Sequence, residues 1–376
     1  MENREIRKGA VDSARQIIVK AGTRLLTSRE SIAELVSGIA QLRRAGKKVL
    51  LVSSGAVGMG MELLKIPRRP KDLAAKQALA AVGQTRLMAI YAEECAKYGF
   101  LPAQLLLTAA DLNSRSRYLN VMNCINALWE KELLPVINEN DPVSVAELKF
   151  GDNDKLAGLL CSLTGSELAV ILTTEDGLRD RNPDGTLGAR IPLVPKITPA
   201  VKALAGGTDN ADYSVGGMSS KLLAASIATA AGAALWIADG RRKGILEKIL
   251  AGADEGTLFT PGERIPGRKR YLRYFSSVMG KVVIDAGAAE ALLVKGKSLL
   301  SSGVTAVAGE FKRGDTVEIA DGTGKVIARG LVNFSAAECR KVAGKSSGEL
   351  HRILGSQTED EVIHRNNLTL MDQSQD

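Results

Sequence analysis

Histidine is nearly missing from this chain of 376 residues: there are two, His351 and His364, both near the C-terminal end. The 350 residues before them contain none. A Ser-His-Asp triad, a Cys-His dyad and a histidine metal centre are thereby excluded from the main body. Cysteine is sparse too. Cys95, Cys124, Cys161 and Cys339 are scattered, with no C-x-x-C spacing. Neither a disulfide framework nor a cysteine zinc site is expected, and a reducing cytoplasm suits the chain. Aromatic residues make up 4%, which leaves little to stack on nucleic-acid bases. Long apolar runs are also lacking: a membrane span needs about 20 strongly apolar residues. The longest uncharged run, 222–238, is rich in alanine and contains Ser226, Thr229 and Gly232. It reads as a helix to about Ala231, a break at Gly232 and a buried strand over 234–238.

The rest of the composition is that of a globular protein, 45% hydrophobic and 24% charged, long enough for two domains and for a core without staples. A formal net charge of +8 suits an acidic ligand. Residues 1–15 are polar, lack the apolar segment of a secretory signal, and read as a flexible extension.

From residue 16 onward, apolar runs alternate with amphipathic stretches. The runs 16–20 (QIIVK), 48–52 (KVLLV), 101–107, 134–138 (LPVIN) and 167–173 (ELAVILT) predict strands. Between them, 31–45, 71–98, 120–131 and 155–163 predict helices. Near-continuous apolar strands separated by helices predict an α/β domain, a mostly parallel sheet sandwiched by helices, over 16–260. The turn-rich stretch beginning at Thr260 (TPGERIPG) opens a linker, 261–276. Short β-type runs at 281–285, 304–309, 315–319 and 325–331, with a hairpin signal at Asp321-Gly322-Thr323-Gly324, predict a small β-rich domain over 277–360 and a tail at 361–376.

Open α/β sheets bind ligands at the carboxyl ends of their strands. There the first strand gives Lys20-Ala21-Gly22-Thr23, and the second gives Ser53-Ser54-Gly55-Ala56-Val57-Gly58. These loops let backbone N–H groups approach an anion, or serve only as turns and caps. There is no G-x-x-x-x-G-K-[ST] and no G-x-G-x-x-G after the first strand, so neither a P-loop nor a Rossmann dinucleotide site is expected. The fourth strand leads into Asn138-Glu139-Asn140-Asp141-Pro142, followed by Gly151-Asp152-Asn153-Asp154 ahead of a helix. Capping explains one such residue per helix start, not a cluster. Carboxylates beside a helix N-terminus match the two charges of an α-amino acid. Later, Gly216-Gly217-Met218-Ser219-Ser220-Lys221 opens the alanine-rich helix. A lysine is unfavourable at the positive end of a helix unless an anion joins it.

VKAGT, VSSGAVGMG, INENDPV, GDND, ILTTEDGL and VGGMSSK, in this order and spacing, resemble the amino acid kinase family. Ala80-Ala81-Val82-Gly83-Gln84 and Gln104-Leu105-Leu106-Leu107-Thr108 resemble its members that phosphorylate free glutamate. The likeness runs from about Gln16 to about Gly355, and the tail domain is similar to a PUA domain. The resemblance implies transfer of the ATP γ-phosphoryl group to the side-chain carboxylate of L-glutamate, the opening step of proline synthesis. It implies Lys20 and Lys221 on either side of the transferring group, with Asp154 holding both. It implies Gly22 and Gly55 as backbone contacts to phosphate, and Ser54, Asp141 and Asn153 as glutamate ligands. Thr173, Thr174, Val215, Gly216, Gly217, Met218, Ser219, Ser220 and Lys221 match the nucleotide site, with Mg²⁺ riding on the phosphates. Two positions depart: the family usually has Asp at Thr174 and commonly Thr at Val215. A homo-oligomer, dimer or tetramer, and feedback inhibition by proline are implied as well. Such a carboxylate is ionised at neutral pH, so no general base is needed and the missing histidines are no handicap. None of the proposed site side chains is expected in the apolar core. Phosphorylation of N-acetylglutamate, aspartate, carbamate or UMP is the alternative within the family. RNA binding through the tail domain is the alternative outside it, weakened by only ten Lys/Arg against seven Asp/Glu in 277–345.

Overall fold

The computed structural model describes residues 2–144, 153–205, 217–356 and 358–371. The chain divides into two compact units, Met1–Arg264 and Ile265–Asp376.

The first unit opens with α1 (Glu2–Ser13), β1 (Gln16–Ala21), α2 (Arg29–Arg44), β2 (Lys48–Val52), α3 (Ala56–Leu63) and α4 (Leu73–Ala96). It continues with β3 (Pro102–Leu107), α5 (Ala109–Asn113), α6 (Arg115–Glu130), β4 (Leu134–Glu139), α7 (Asn153–Thr164) and β5 (Leu168–Thr173). A short hairpin, β6 (Arg179–Arg181) and β7 (Leu187–Arg190), precedes β8 (Leu193–Val194) and α8 (Pro199–Ala203). The unit closes with α9 (Met218–Ala230), β9 (Ala234–Asp239), α10 (Ile245–Leu250) and β10 (Thr257–Phe259). Among the described residues the main sheet runs β3-β4-β2-β1-β5-β9-β10-β8. It is parallel from β3 through β9, while β10 lies antiparallel to β9 and β8 runs parallel to β10.

The apolar runs explain this sheet. Ile17, Ile18 and Val19 of β1 are all buried, as are Val49 to Val52 of β2 and Leu168 to Leu172 of β5, because helices cover both faces. Lys20 pairs in register with Val52 on one side and Ile171 on the other. The loops after β1, β2 and β5 therefore leave the sheet at one level. Helix α2 starts at a capping box on Ser28 and buries Ile32, Leu35, Val36, Ile39 and Leu42. The turn into α3 needs Gly55, whose φ is +94°. Beyond it, α3 and α4 touch backbone to backbone: a side chain at Gly60 would strike the Leu79 carbonyl, and one at Gly83 the Ala56 carbonyl.

Three segments differ from their sequence reading. Residues 2–13, expected as a flexible extension, form α1, fastened by Arg7. Its guanidinium is fully buried and donates to the carbonyls of Ala253, Glu255, Pro192 and Gly256 at 2.7–3.1 Å. It also lies over the Trp236 ring. A polar composition hid an anchor whose partners lie far along the chain. The expected linker contains α11 (Gly267–Tyr274), which buries Arg270 and Leu272.

The second unit continues with β11 (Val278–Ile284), α12 (Ala286–Leu293), β12 (Leu299–Leu300), β13 (Val304–Gly309), β14 (Thr316–Ala320) and β15 (Val326–Leu331). It ends with α13 (Ala336–Val342), α14 (Ser347–Leu354), β16 (Glu361–Ile363) and β17 (Leu368–Leu370). Its main sheet runs β13-β11-β14-β15-β17. The expected tail thus supplies the last strand, β17, paired with β15. Between β14 and β15 the Asp321 carboxylate accepts from the Thr323 N–H at 2.9 Å, and Gly324 takes φ +88°, the Asx turn that the sequence signals. Among the described residues no helix is long and apolar enough to cross a membrane.

Candidate active site

Three charged side chains meet inside the first unit. Lys20 stands at the carboxyl end of β1, Asp154 in the first turn of α7, and Lys221 in the first turn of α9. Lys20 Nζ lies 2.5 Å from Asp154 Oδ1, and Lys221 Nζ lies 2.9 Å from Asp154 Oδ2. Exposure is 5% for Lys20, 4% for Lys221 and 0% for Asp154. The expectation that these side chains lie outside the core is therefore corrected: α7 and α9 pack together over the sheet and enclose all three. Burial opposes the charge on Asp154, yet the two ammonium groups outweigh it and hold its carboxyl below the usual carboxylate range. Two cations thus face one anion in a water-poor place, where an arriving anion would be drawn to both.

Next to this triad lies a network of amides and hydroxyls. Asn153 Nδ2 donates to the Ser53 carbonyl and to Ser54 Oγ, both at 2.8 Å, and to Asn138 Oδ1 at 3.1 Å. This joins the end of β2, the end of β4 and the start of α7. Asp141 lies half-buried in the turn after β4. Asp152 falls outside the described residues.

The glycines expected at the phosphates lie at the starts of a turn and two helices. Gly22 opens a 3-10 turn, and a Cβ there would lie 3.6 Å from Lys20 Nζ. Gly55 caps the N-terminus of α3. Gly217 caps α9, whose first turn carries Met218, Ser219, Ser220 and Lys221. Val215 and Gly216 lie outside the described residues, so the departure at Val215 has no structural account. Thr173 ends β5, and its carbonyl accepts from the Gly240 N–H at 2.8 Å. At the other departure, the Thr174 carbonyl accepts from Arg241 Nη2 at 2.7 Å, while Arg241 also pairs with Asp239. Partial burial works against the Asp239 charge, but Arg241 holds its carboxyl below the usual range.

Sequence reasoning did not single out Asn138, Ser53 or Arg241. Asn138 belongs to the INENDPV run, which reads as a functional cluster without assigning Asn138 a role of its own. Arg241 lies in a surface turn, where only proximity to Thr174 gives it a role.

The amino acid kinase family model matches residues 15–239, and the PUA domain model matches residues 280–354. The chain is 43% identical to the glutamate 5-kinase of Moorella thermoacetica, over 99% of this chain and 100% of that one. It is 42% identical to the glutamate 5-kinase of Trichlorobacter lovleyi, over 98% and 100%. The glutamate 5-kinase of Desulfotalea psychrophila is also 42% identical over the same shares. The fold, the buried lysine pair and these full-length relatives agree: the chain belongs to the amino acid kinase family, in its glutamate 5-kinase branch with a C-terminal PUA domain.

Proposed function

We propose that the chain transfers the γ-phosphoryl group of ATP to the side-chain carboxylate of L-glutamate, giving ADP and L-glutamyl 5-phosphate. The observation that carries this reading is the buried Lys20–Asp154–Lys221 cluster beside the Ser54–Asn153–Asn138 network. A carboxylate oxygen attacks the γ-phosphorus, and the bond from that phosphorus to the β,γ-bridging oxygen breaks. No proton leaves the nucleophile, so what remains is positioning and charge stabilisation. Lys20 and Lys221 neutralise the equatorial and bridging oxygens, and Asp154 keeps them a fixed distance apart. The Gly22 N–H is taken by the Leu172 carbonyl at 3.3 Å, so Gly22 offers the phosphates close approach to its bare Cα, while the Gly55 N–H faces them. Thr173, Thr174 and the segment 215–221 take the nucleotide. Both Asp154 oxygens are occupied by lysines, so this reading has magnesium arrive as MgATP, held by the phosphates. Ser54 and Asn153 orient the amino acid, and Asp141 takes its ammonium.

The test is ATP-dependent formation of the hydroxamate from L-glutamate and hydroxylamine, which traps the acyl phosphate. Product from L-glutamate and none from N-acetylglutamate is expected. Turnover of N-acetylglutamate with none of L-glutamate would sink the reading. Asp141→Ala should raise the glutamate KM by roughly 10- to 100-fold, the value of a charge-assisted hydrogen bond, and leave kcat within a few-fold. A variant with normal glutamate KM would remove Asp141 from the ammonium site.

A further inference from the structure

Helix α4 carries a polar row that the roles above leave unused. Gln77, Gln84 and Tyr91 recur at seven-residue intervals, close to two helical turns, and so share one face. Each reaches a different loop of the candidate site. Gln77 Nε2 donates to the Ser144 carbonyl at 3.3 Å. The Tyr91 hydroxyl and Ser53 Oγ are 2.9 Å apart. Between them, Gln84 Oε1 accepts from Asn138 Nδ2 at 3.0 Å.

The backbone decides which way these amides point. The Glu139 N–H donates to Asn138 Oδ1 at 2.9 Å, and Asn153 Nδ2 donates to the same oxygen. A backbone N–H can only donate, so the Asn138 atom turned to Gln84 is the nitrogen. The Gln84 atom facing that nitrogen is then the oxygen. This leaves Gln84 Nε2 with two protons to place. Gln84 is 6% exposed, and Nε2 has no hydrogen-bond partner among the described residues. A buried amide nitrogen in this state is unfavourable unless an acceptor arrives with the ligand.

L-Glutamate brings one donor-only group, its ammonium, and two acceptor-only groups, its carboxylates. The ammonium cannot satisfy Gln84. The reacting carboxylate belongs between Lys20 and Lys221. Asn138 is the penultimate residue of β4, and β2 lies between β4 and β1 in the sheet, so the backbones of Lys20 and of Asn138, which carries the bond to Gln84, stand about two strand spacings, roughly 10 Å, apart. A glutamate with its side chain extended, holding a hydrogen bond of about 3 Å at each carboxylate, is of comparable length.

We propose that Gln84 Nε2 donates to the α-carboxylate of L-glutamate, so that Gln84 selects an α-amino acid over an amine carrying the same side-chain acid. This rests on the glutamate reading, which the wild-type hydroxamate assay tests first and separately. The deciding comparison sets L-glutamate against 4-aminobutyrate, which keeps the ammonium and the reacting carboxylate but has no α-carboxylate. Gln84→Met should raise the L-glutamate KM by about 10- to 100-fold, with the ATP KM unchanged and kcat within about twofold. For 4-aminobutyrate, kcat/KM should stay at the wild-type value, or its competitive inhibition constant where turnover is too slow. Gln84→Glu keeps an oxygen for Asn138 and replaces Nε2 by oxygen. Its L-glutamate KM should exceed that of Gln84→Met and climb with pH as the introduced carboxyl ionises; this variant decides the matter if Gln84→Met fails to fold. Equal losses for both substrates would overturn the proposal and leave Gln84 as support for Asn138. A wild-type L-glutamate KM in Gln84→Glu would overturn it too.

Discussion

Lys221→Ala is expected to lower kcat by about 10²–10³, the usual cost of one preorganised charge contact in the transition state, while the glutamate KM changes far less. The reason lies in when the contact strengthens. Negative charge moves onto the β,γ-bridging and equatorial oxygens as the phosphoryl group transfers, so an ammonium fixed beside them gains most at that moment. Asp154 already holds Lys221 Nζ at 2.9 Å, and so little reorganisation is left for the reaction. Lys20→Ala should behave alike from the other side. Each single lysine variant keeps one cation on Asp154, so melting temperature should move little. Steady-state kinetics with both substrates varied checks this. A kcat within a few-fold of wild type would remove Lys221 from the transferring group.

Asp154→Asn should do two kinds of damage. Catalytically, it releases both lysines and should cost kcat without a comparable rise in glutamate KM. Structurally, it leaves two buried ammonium groups without their shared counter-ion. Removing one member of a buried ion pair typically costs about 3–5 kcal/mol, or roughly 10 °C in Tm for a unit of this size. The pH dependence follows with a definite sign. The folded Asp154 carboxyl is held below its unfolded value. Its contribution is therefore complete above the ordinary carboxylate range and fades as pH falls through the lowered folded value. The variant should lack that acid-side loss. Because a polyphosphate can replace the missing anion, MgATP should raise the variant's Tm by more than it raises that of the wild type. Differential scanning calorimetry with and without MgATP measures both quantities. An unaltered Tm in Asp154→Asn would show that the lysines find other compensation.

Much of the scaffold was legible because the signals were local. The runs QIIVK, KVLLV, LPVIN and ELAVILT lie within β1, β2, β4 and β5 or overlap them by all but one residue, since strands covered on both faces must be apolar throughout. The break at Gly232 is equally plain, with φ +82° between α9 and β9. What could not be read was set by partners distant in sequence. Arg7 looks like a solvated charge until the carbonyls of 253–256 surround it. Leu368–Leu370 is too short to announce a strand and becomes one by pairing with β15. Asp154 reads, by resemblance, as the holder of both lysines, but its complete burial depends on α9 packing beside α7 and was not expected. The Gln84–Asn138 bond joins residues 54 positions apart, and an amide carries no charge pattern to advertise it.

The close approach of α3 and α4 has a consequence for how such a chain can diverge. Gly60 and Gly83 leave no room for a Cβ, whereas Val82 and Arg86, a few residues around the same helix, face solvent. Tolerance to substitution along α4 must alternate sharply from residue to residue. On the outer face a substitution meets only solvent. The inner face is locked to α3 through a contact made of backbone alone, which no repacking of side chains can relieve. Gly83 and Gln84 are consecutive on that helix, so the glycine that admits the contact also fixes where the amide beside it stands. One specifies a distance and the other a chemistry.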